Sequence, residues 1–227
     1  MRQIAFDTST KFLSIALMEG AKVVSSMHED VGIKHSEILV PCIKDILASS
    51  GWNIRDVELV SVGLGPGSFT GLRIAISTAK GLAAAIGIKI AGVSSMDAIA
   101  MNAPSGKKKI MPFLDARKEK VYTALYERKN TASTRVTGYL LAKAEDVLRT
   151  VDKDVFIYGD AVEKYRDILD SNGIKDVSPD ADWYPKAIHI GEMGAAKAAA
   201  GEFDPPEDVD PMYLHAKECN ITLKKGE

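Results

Sequence analysis

Three short apolar runs crowd the first 27 residues, ahead of any stretch with helical periodicity, and they restrict the fold more than any other feature of the chain. Ile4-Ala5-Phe6 reads as a buried strand, residues 13–18 as a second and 23–27 as a third, with Glu19-Gly20 supplying a tight turn. Strands this close in sequence pair antiparallel, so the chain opens as a meander. A helix is expected over 36–49, an apolar strand over 59–64, a long helix over 70–86 and a strand over 89–93. A meander continued by alternating helix and strand makes a mixed sheet covered by helices, an α/β architecture.

The opening returns in the second half. Residues 109–114 form an apolar strand ending in Asp115, as the first strand ends in Asp7, and 121–126 follows as another strand. Such an echo is what a duplicated domain leaves behind. The segment 98–109, with Pro104, Ser105 and Gly106 and then Lys107, Lys108 and Lys109 as a solvated loop, marks the boundary, giving lobes 1–104 and 105–227. Beyond it the pattern loosens. Residues 161–169 and 187–200 read as helices, the second preceded by Pro185, and 203–210 is an extended acidic stretch containing prolines.

Composition narrows the function. With 227 residues, 46% of them hydrophobic, the chain can bury a full core as one large domain or two small ones. A formal net charge of −2 supplies no basic field to draw in nucleic acid, so if RNA is the substrate, another subunit does most of the binding. Cys42 and Cys219 lie in no metal-type spacing and are expected as reduced thiols. The N-terminus lacks the apolar stretch of a signal peptide, and Lys89 interrupts the best apolar run, so the cytoplasm is the expected compartment and no membrane association is anticipated.

Gly65-Pro66-Gly67-Ser68-Phe69-Thr70-Gly71-Leu72-Arg73 joins a strand to a helix. Such a turn can hold an anion on backbone N–H groups. It has neither the Lys-Ser/Thr pair of a P-loop nor the G-x-G-x-x-G spacing, so the spacing favours a structural turn. Asp7-Thr8-Ser9-Thr10 and Asp115-Ala116-Arg117 each set a carboxylate after an apolar strand. Two facing carboxylates could hold magnesium and a nucleotide phosphate, or both could be turn formers, and both readings stand. His28, His35, His189 and His215 are scattered, no H-E-x-x-H occurs, and no serine sits in a G-x-S-x-G elbow. That removes the usual hydrolase constellations.

The two long helices are apolar over too wide an arc. Leu39, Val40, Cys42, Ile43, Ile46 and Leu47 cover half of the first, more than the ~100° stripe a sheet requires. Leu72, Ile76, Ala79, Leu82, Ala83 and Ile86 form one face of the second. Ile74, Ser77, Thr78, Gly81, Ala84 and Ala85 form an opposite face of small or apolar residues. Either the two helices pack on each other, or the surplus face meets another protein; a patch of that size favours the interface. Pro41 is expected to distort the first helix.

The run 65–73 with Ala79-Lys80-Gly81-Leu82-Ala83, together with Asp7-Thr8-Ser9, His35-Ser36-Glu37, Pro41, Gly92-Val93-Ser94-Ser95 and Asp115-Ala116-Arg117, resembles the TsaB family of bacterial threonylcarbamoyladenosine biosynthesis proteins. The match is full in the first half and thin in the second. The resemblance implies an actin-like (ASKHA) fold of two related lobes, shared with sugar kinases and with the catalytic paralogue TsaD, in which the helix 187–200 can pack back on the first lobe. It implies pairing of the wide helices with TsaD, through Leu39, Ile43, Ile46, Ile74, Ser77, Thr78, Gly81 and Ala85, and with a second copy in isolation. TsaE joins that assembly. ATP and a metal ion serve the complex rather than this chain alone, and transfer RNA is reached only through it.

TsaD carries a His-x-x-x-His metal pair where Ser95 and Ile99 stand here, which implies no metal site and no catalytic residue. Asp7, Ser9, Thr10 and Asp115 would then be a vestigial phosphate site, with Gly65, Gly67, Ser68, Phe69, Thr70, Gly71 and Arg73 as the family's signature loop. Tyr158-Gly159-Asp160-Ala161 has one glycine where adenosine-gripping loops have several, and His215 replaces the family's usual arginine. The competing readings are an actin-like phosphotransferase using Asp7 and Asp115, and a peptidase, for which no residues present themselves.

Overall fold

The computed structural model describes residues 1–129, 132–178 and 183–214. Two compact units emerge: Met1–Ala98 with Pro185–Tyr213, and a second built on Ile99–Tyr184.

In the first unit, β1 (Arg2–Asp7), β2 (Phe12–Glu19) and β3 (Lys22–Asp30) form the meander, followed by α1 (His35–Ser49), β4 (Leu59–Gly63), α2 (Phe69–Ile86), β5 (Lys89–Val93) and α3 (Ser95–Met101). The sheet order is β3-β2-β1-β4-β5, antiparallel across the meander and parallel from β1 through β4 to β5. The alternation of strand side chains decides what covers each face. Ile4 and Phe6 of β1 meet Leu39, Ile43 and Leu47 of α1 and Ala75, Ile76 and Ala79 of α2 in one core. Ala5 between them points the other way. Helix α1 runs through Pro41, which is exposed, so water can satisfy the carbonyl that the missing N–H leaves free.

The second unit repeats the plan with shorter elements: β6 (Lys109–Asp115), β7 (Lys120–Thr123), β8 (Tyr126–Lys129), β9 (Ala132–Arg135), β10 (Leu140–Lys143), α4 (Ala144–Thr150), β11 (Phe156–Tyr158), α5 (Ala161–Lys164), α6 (Arg166–Ser171) and β12 (Val177–Ser178). Its order, β10-β7-β6-β11-β12, matches the first sheet position for position, with β8 and β9 added as a hairpin beside β6. Two sheets of one order, each with crossover helices, make the actin-like fold.

Three expectations need correction here. The strand expected over 121–126 is two strands, broken at Ala124-Leu125, where the Leu125 amide donates to Thr137 Oγ1 (2.9 Å) instead of to a ladder. The helix expected over 161–169 is broken at Tyr165. The lysine cluster is not simply solvated, since Lys107 pairs with Asp176 at 2.6 Å and Lys109 with Asp152 and Asp154 at 2.9 and 3.2 Å.

Helix α7 (Ala187–Ala199) then covers the open face of the first sheet, where Ala187 and Ile190 pack on Ala5, Ala16, Met18 and Val93. It lies very close to the strands because both sides are small. A Cβ on Gly194 would stand 1.9 Å from Ser61 Oγ, and one on Gly191 2.4 Å from Met18 Sδ. Buried Gln3 ties strand to helix, its Nε2 donating to the Gly191 carbonyl (3.2 Å) while its Oε1 accepts from Ser61 Oγ (2.9 Å). Among the described residues no helix is long and apolar enough to cross a membrane.

Candidate functional site

Parallel strands β1, β4 and β5 end at one edge of the first sheet, where ligand sites of open α/β sheets lie. Asp7 sits there with no solvent exposure. Its Oδ1 accepts from Ser9 N and Ser9 Oγ (2.7 and 2.6 Å) and its Oδ2 from Ser95 Oγ (2.5 Å). Burial pushes the Asp7 carboxyl above its ordinary range, against the hydrogen bonds of Ser9 and Ser95 that pull it down. Gly63 closes the last side, since a Cβ on it would lie 1.8 Å from Oδ2. A divalent cation at Asp7 would have to displace all three donors in a space that admits no water. The residues present do not fit a metal.

The glycine-rich loop is sewn to the same network. Gly65, at φ 100°, donates its amide to Ser95 Oγ (3.0 Å) and accepts from Ser95 N (2.9 Å). Ser68 donates its amide to the Ser9 carbonyl (2.7 Å), and its Oγ caps α2 by accepting from Gly71 N (3.3 Å). Thr8 Oγ1 donates to the Gly71 carbonyl (2.7 Å). Cβ atoms on Gly67 and Gly71 would meet the Ser9 and Thr8 carbonyls at 2.4 and 2.0 Å. The glycines therefore serve close backbone packing, and the Gly65 and Ser68 amides are already committed inside the chain. Thr10 Oγ1 accepts from Phe12 N (3.2 Å), a turn role.

Asp115 ends β6 as Asp7 ends β1, in the other unit. It is partly exposed, accepts from Arg117 N (3.1 Å) and pairs with Lys164 at 2.9 Å. The turn after it holds Arg117, Lys118 and Glu119 in succession at φ 63°, 48° and 61°, left-handed backbone that non-glycine residues rarely adopt. Among the described residues no group of three or more His, Cys, Asp or Glu is placed to hold a metal ion. Ser95 and Ile99 are both fully buried. His35, the first residue of α1, is buried and its Nε2 donates to the Phe12 carbonyl (3.2 Å), anchoring the helix to β2.

The helix faces divide differently from the wheel. Leu39 and Ile43, expected on the partner side, are 1% and 6% exposed and belong to the core of their own unit, so they are not available to another protein. What α1 leaves at the surface is the half-buried line Ile38, Cys42 and Ile46, with Val40 exposed. On α2, Ile74, Thr78, Leu82 and Ile86 are half-buried, and Thr70, Arg73, Ser77, Gly81, Ala84 and Ala85 form an exposed stripe. A Cβ on Gly81 would meet nothing within 4 Å.

One cluster escaped the sequence reading. Phe69 stacks on Tyr213 (ring centroids 5.1 Å apart), the Arg73 guanidinium lies 3.9 Å over the Phe69 ring, and Arg73 Nε donates to Tyr213 Oη (2.8 Å). The signal available was the pairing of Phe69 with Arg73 one helical turn apart; the third member lies 140 residues along the chain. His215 and Cys219 fall outside the described residues.

Comparison with known proteins places this geometry. The family described as TsaD, tRNA N6-adenosine threonylcarbamoyltransferase, matches residues 22–202. The tRNA threonylcarbamoyladenosine biosynthesis protein TsaB of Bacillus subtilis is 30% identical, over 88% of this chain and 90% of that one. The protein of the same name from Haemophilus influenzae is 33% identical, over 98% and 95%. The solved structure of YeaZ from Pseudomonas aeruginosa superposes with a TM-score of 0.79 at 26% identity, covering 94% of this chain and 99% of that one. The chain belongs to the family of bacterial tRNA threonylcarbamoyladenosine biosynthesis proteins TsaB.

Proposed function

We propose that this chain is a non-catalytic, cytoplasmic subunit required for threonylcarbamoyl transfer to the adenosine next to the anticodon of tRNA. Its helices α1 and α2 dock TsaD, a second copy takes the same face when TsaD is absent, and the pair helps recruit TsaE. The observation that carries the reading is the open face of α2. Ser77, Gly81, Ala84 and Ala85 are exposed beside the half-buried line Ile74, Thr78, Leu82 and Ile86 and its neighbours Ile38, Cys42 and Ile46. Small residues let a second helix approach to ~8 Å, and covering the apolar atoms beside them gains about 25 cal/mol per Å².

The absence of catalysis by the chain alone is supported by its own contacts. Both Asp7 oxygens are engaged by Ser9 and Ser95, and Ser95 and Ile99 offer no imidazole where the resemblance puts the histidines of TsaD. ATP and the metal ion would serve the assembled complex, and the net charge of −2 agrees with tRNA being held chiefly by other subunits.

The test is light scattering on the chain alone and mixed with TsaD of the same organism, for wild type and for Gly81→Gln with Ala85→Gln, and ATP titrated into each by calorimetry. The chain should form a homodimer that yields to a heteromer, with no ATP heat from the chain alone. The double variant should remain folded, because both positions are exposed and glutamine is a better helix former than the glycine it replaces and only slightly worse than the alanine, and it should associate with neither. Saturable ATP binding by the isolated chain, with no association, would replace this reading with a phosphotransferase.

A further inference from the structure

Beside the stripe of small residues, α2 carries a second, polar edge. A cavity of about 660 Å³ opens there, lined by Arg73, Ile76, Ser77 and Lys80 of α2 and by Asp210, Pro211 and Tyr213 from the end of the same unit. Arg73, Ser77 and Lys80 fall at i, i+4 and i+7, so one helix face presents a guanidinium, a hydroxyl and an ammonium in a row. The guanidinium is fixed in advance: its central carbon lies 3.9 Å over the Phe69 ring and its Nε is held by Tyr213, which leaves the two terminal nitrogens, the fork that matches a carboxylate, without a carboxylate partner among the described residues. Lys80 already pairs with Asp210, a residue of the same unit, at a loose 3.5 Å, which shows that a carboxylate reaches this cavity.

The charge of α2 gives this edge a preference. Its sequence, FTGLRIAISTAKGLAAAI, contains two cations and no carboxylate. Two copies of α2 brought together would add four cations and no α2 carboxylate. A partner helix presenting Asp or Glu would instead meet a preorganised fork with little ordering left to do.

Resting on the docking proposed above, we infer that Arg73, Ser77 and Lys80 form a receptor for a carboxylate of the docked partner subunit, making α2 favour an acidic partner over a second copy of this chain. Phe69 and Tyr213 act as positioning residues for Arg73. The receptor sets partner choice, whereas the small-residue stripe sets the closeness of approach.

The experiment measures two dissociation constants, for self-association and for association with TsaD of the same organism, in wild type, in Arg73→Glu with Lys80→Glu, and in Gly81→Gln with Ala85→Gln. Charge reversal should weaken the heteromer at least about tenfold while leaving the homodimer unchanged, since four carboxylates repel as four cations do, and the heteromer of the wild type should weaken with added salt more than that of Arg73→Gln with Lys80→Gln. If charge reversal leaves the heteromer intact while the glutamine pair disrupts it, docking stands and the carboxylate receptor is wrong. If Glu37 or Asp45 on α1 of a second copy supplies the anion, reversal weakens the homodimer as much as the heteromer, and the claimed preference falls. Loss of tRNA binding with the heteromer intact would overturn the proposal in favour of a phosphate-reading edge. If neither double variant alters association, the docking reading itself fails.

Discussion

Asp7 and Asp115 occupy one topological place in two sheets of one order, and they have opposite environments. The first is fully buried, with both oxygens held by hydroxyls and an amide of its own chain. The second is partly exposed and held by one lysine and one backbone amide. A duplicated fold thus preserved the position of the carboxylate and not its use. In the first unit it fastens the glycine-rich loop to α3 through Ser95; in the second it steadies a strained turn. Asp7, with both oxygens taken and no exposure, lacks the open coordination that magnesium and a nucleotide phosphate require.

The hardest break of that comparison is at two glycines in matching places, one against Asp7 and the other against the backbone of Phe113 in the strand that Asp115 ends. Gly63 ends β4 and Gly159 follows β11, its counterpart. A Cβ at Gly63 would meet Asp7 Oδ2 at 1.8 Å, and one at Gly159, where φ is 138°, would meet the Phe113 carbonyl at 2.2 Å. Gly63→Ala should cost about 3 kcal/mol, the upper end for overpacking a filled site, read as a fall in the urea midpoint. The obstacle differs, however: at Gly63 it is a side chain, at Gly159 backbone. Adding Asp7→Ala should therefore restore part of the stability lost in Gly63→Ala, whereas no side-chain deletion should rescue Gly159→Ala. Full additivity of Gly63→Ala and Asp7→Ala would mean that the two do not share a site.

A smaller effect separates the aspartates themselves. Asp7→Ala leaves Ser9 N, Ser9 Oγ and Ser95 Oγ without their acceptor in a dry site, a loss of about 2 kcal/mol. Asp115→Ala removes an exposed ion pair, and thermal unfolding should barely register it. Equal shifts in melting temperature would show that Asp7 is not the closed member of the pair.

The same contrast explains what was legible in the sequence. The first unit announces itself because β1, β2 and β4 are buried on both faces: Ile4-Ala5-Phe6 and Ile15-Ala16-Leu17-Met18 are unbroken apolar runs, and Ser68 and Gly87 mark the ends of α2 by side-chain cap and left-handed turn. In the second unit β11 and β12 span three and two residues, too short for any period, and the break at Leu125 depends on Thr137, 12 residues away. The wheel overcounted the partner face because it could not know that α1 sinks Leu39 and Ile43 into its own core. Nor does any local pattern tell that Ser95 reaches Asp7 across 88 residues, or that Tyr213 holds Arg73.

The finest discrimination between the two carboxylates is the pH at which each matters. Asp7 has a carboxyl raised by burial, so its folded form holds a proton more readily than its unfolded form. Its contribution to stability is therefore complete below the ordinary carboxylate value of about 3.9 and is lost as pH rises through the raised one. Lys164 is raised by the hydrogen bond and charge of Asp115, so the stability of that pair is complete below the ordinary lysine value of about 10.4 and is lost as pH rises past it. Solvent screening keeps this alkaline step shallow. Urea unfolding of wild type against Asp7→Asn should diverge on leaving the acid range, with wild type losing ground as Asp7 ionises in a site that cannot hydrate it. Against Asp115→Asn, the difference should change in alkali, where Lys164 gives up its proton and the pair is lost. If wild type loses no ground to Asp7→Asn on leaving the acid range, Asp7 is not held in a site closed to water, and the two units would then share an environment as well as a topology.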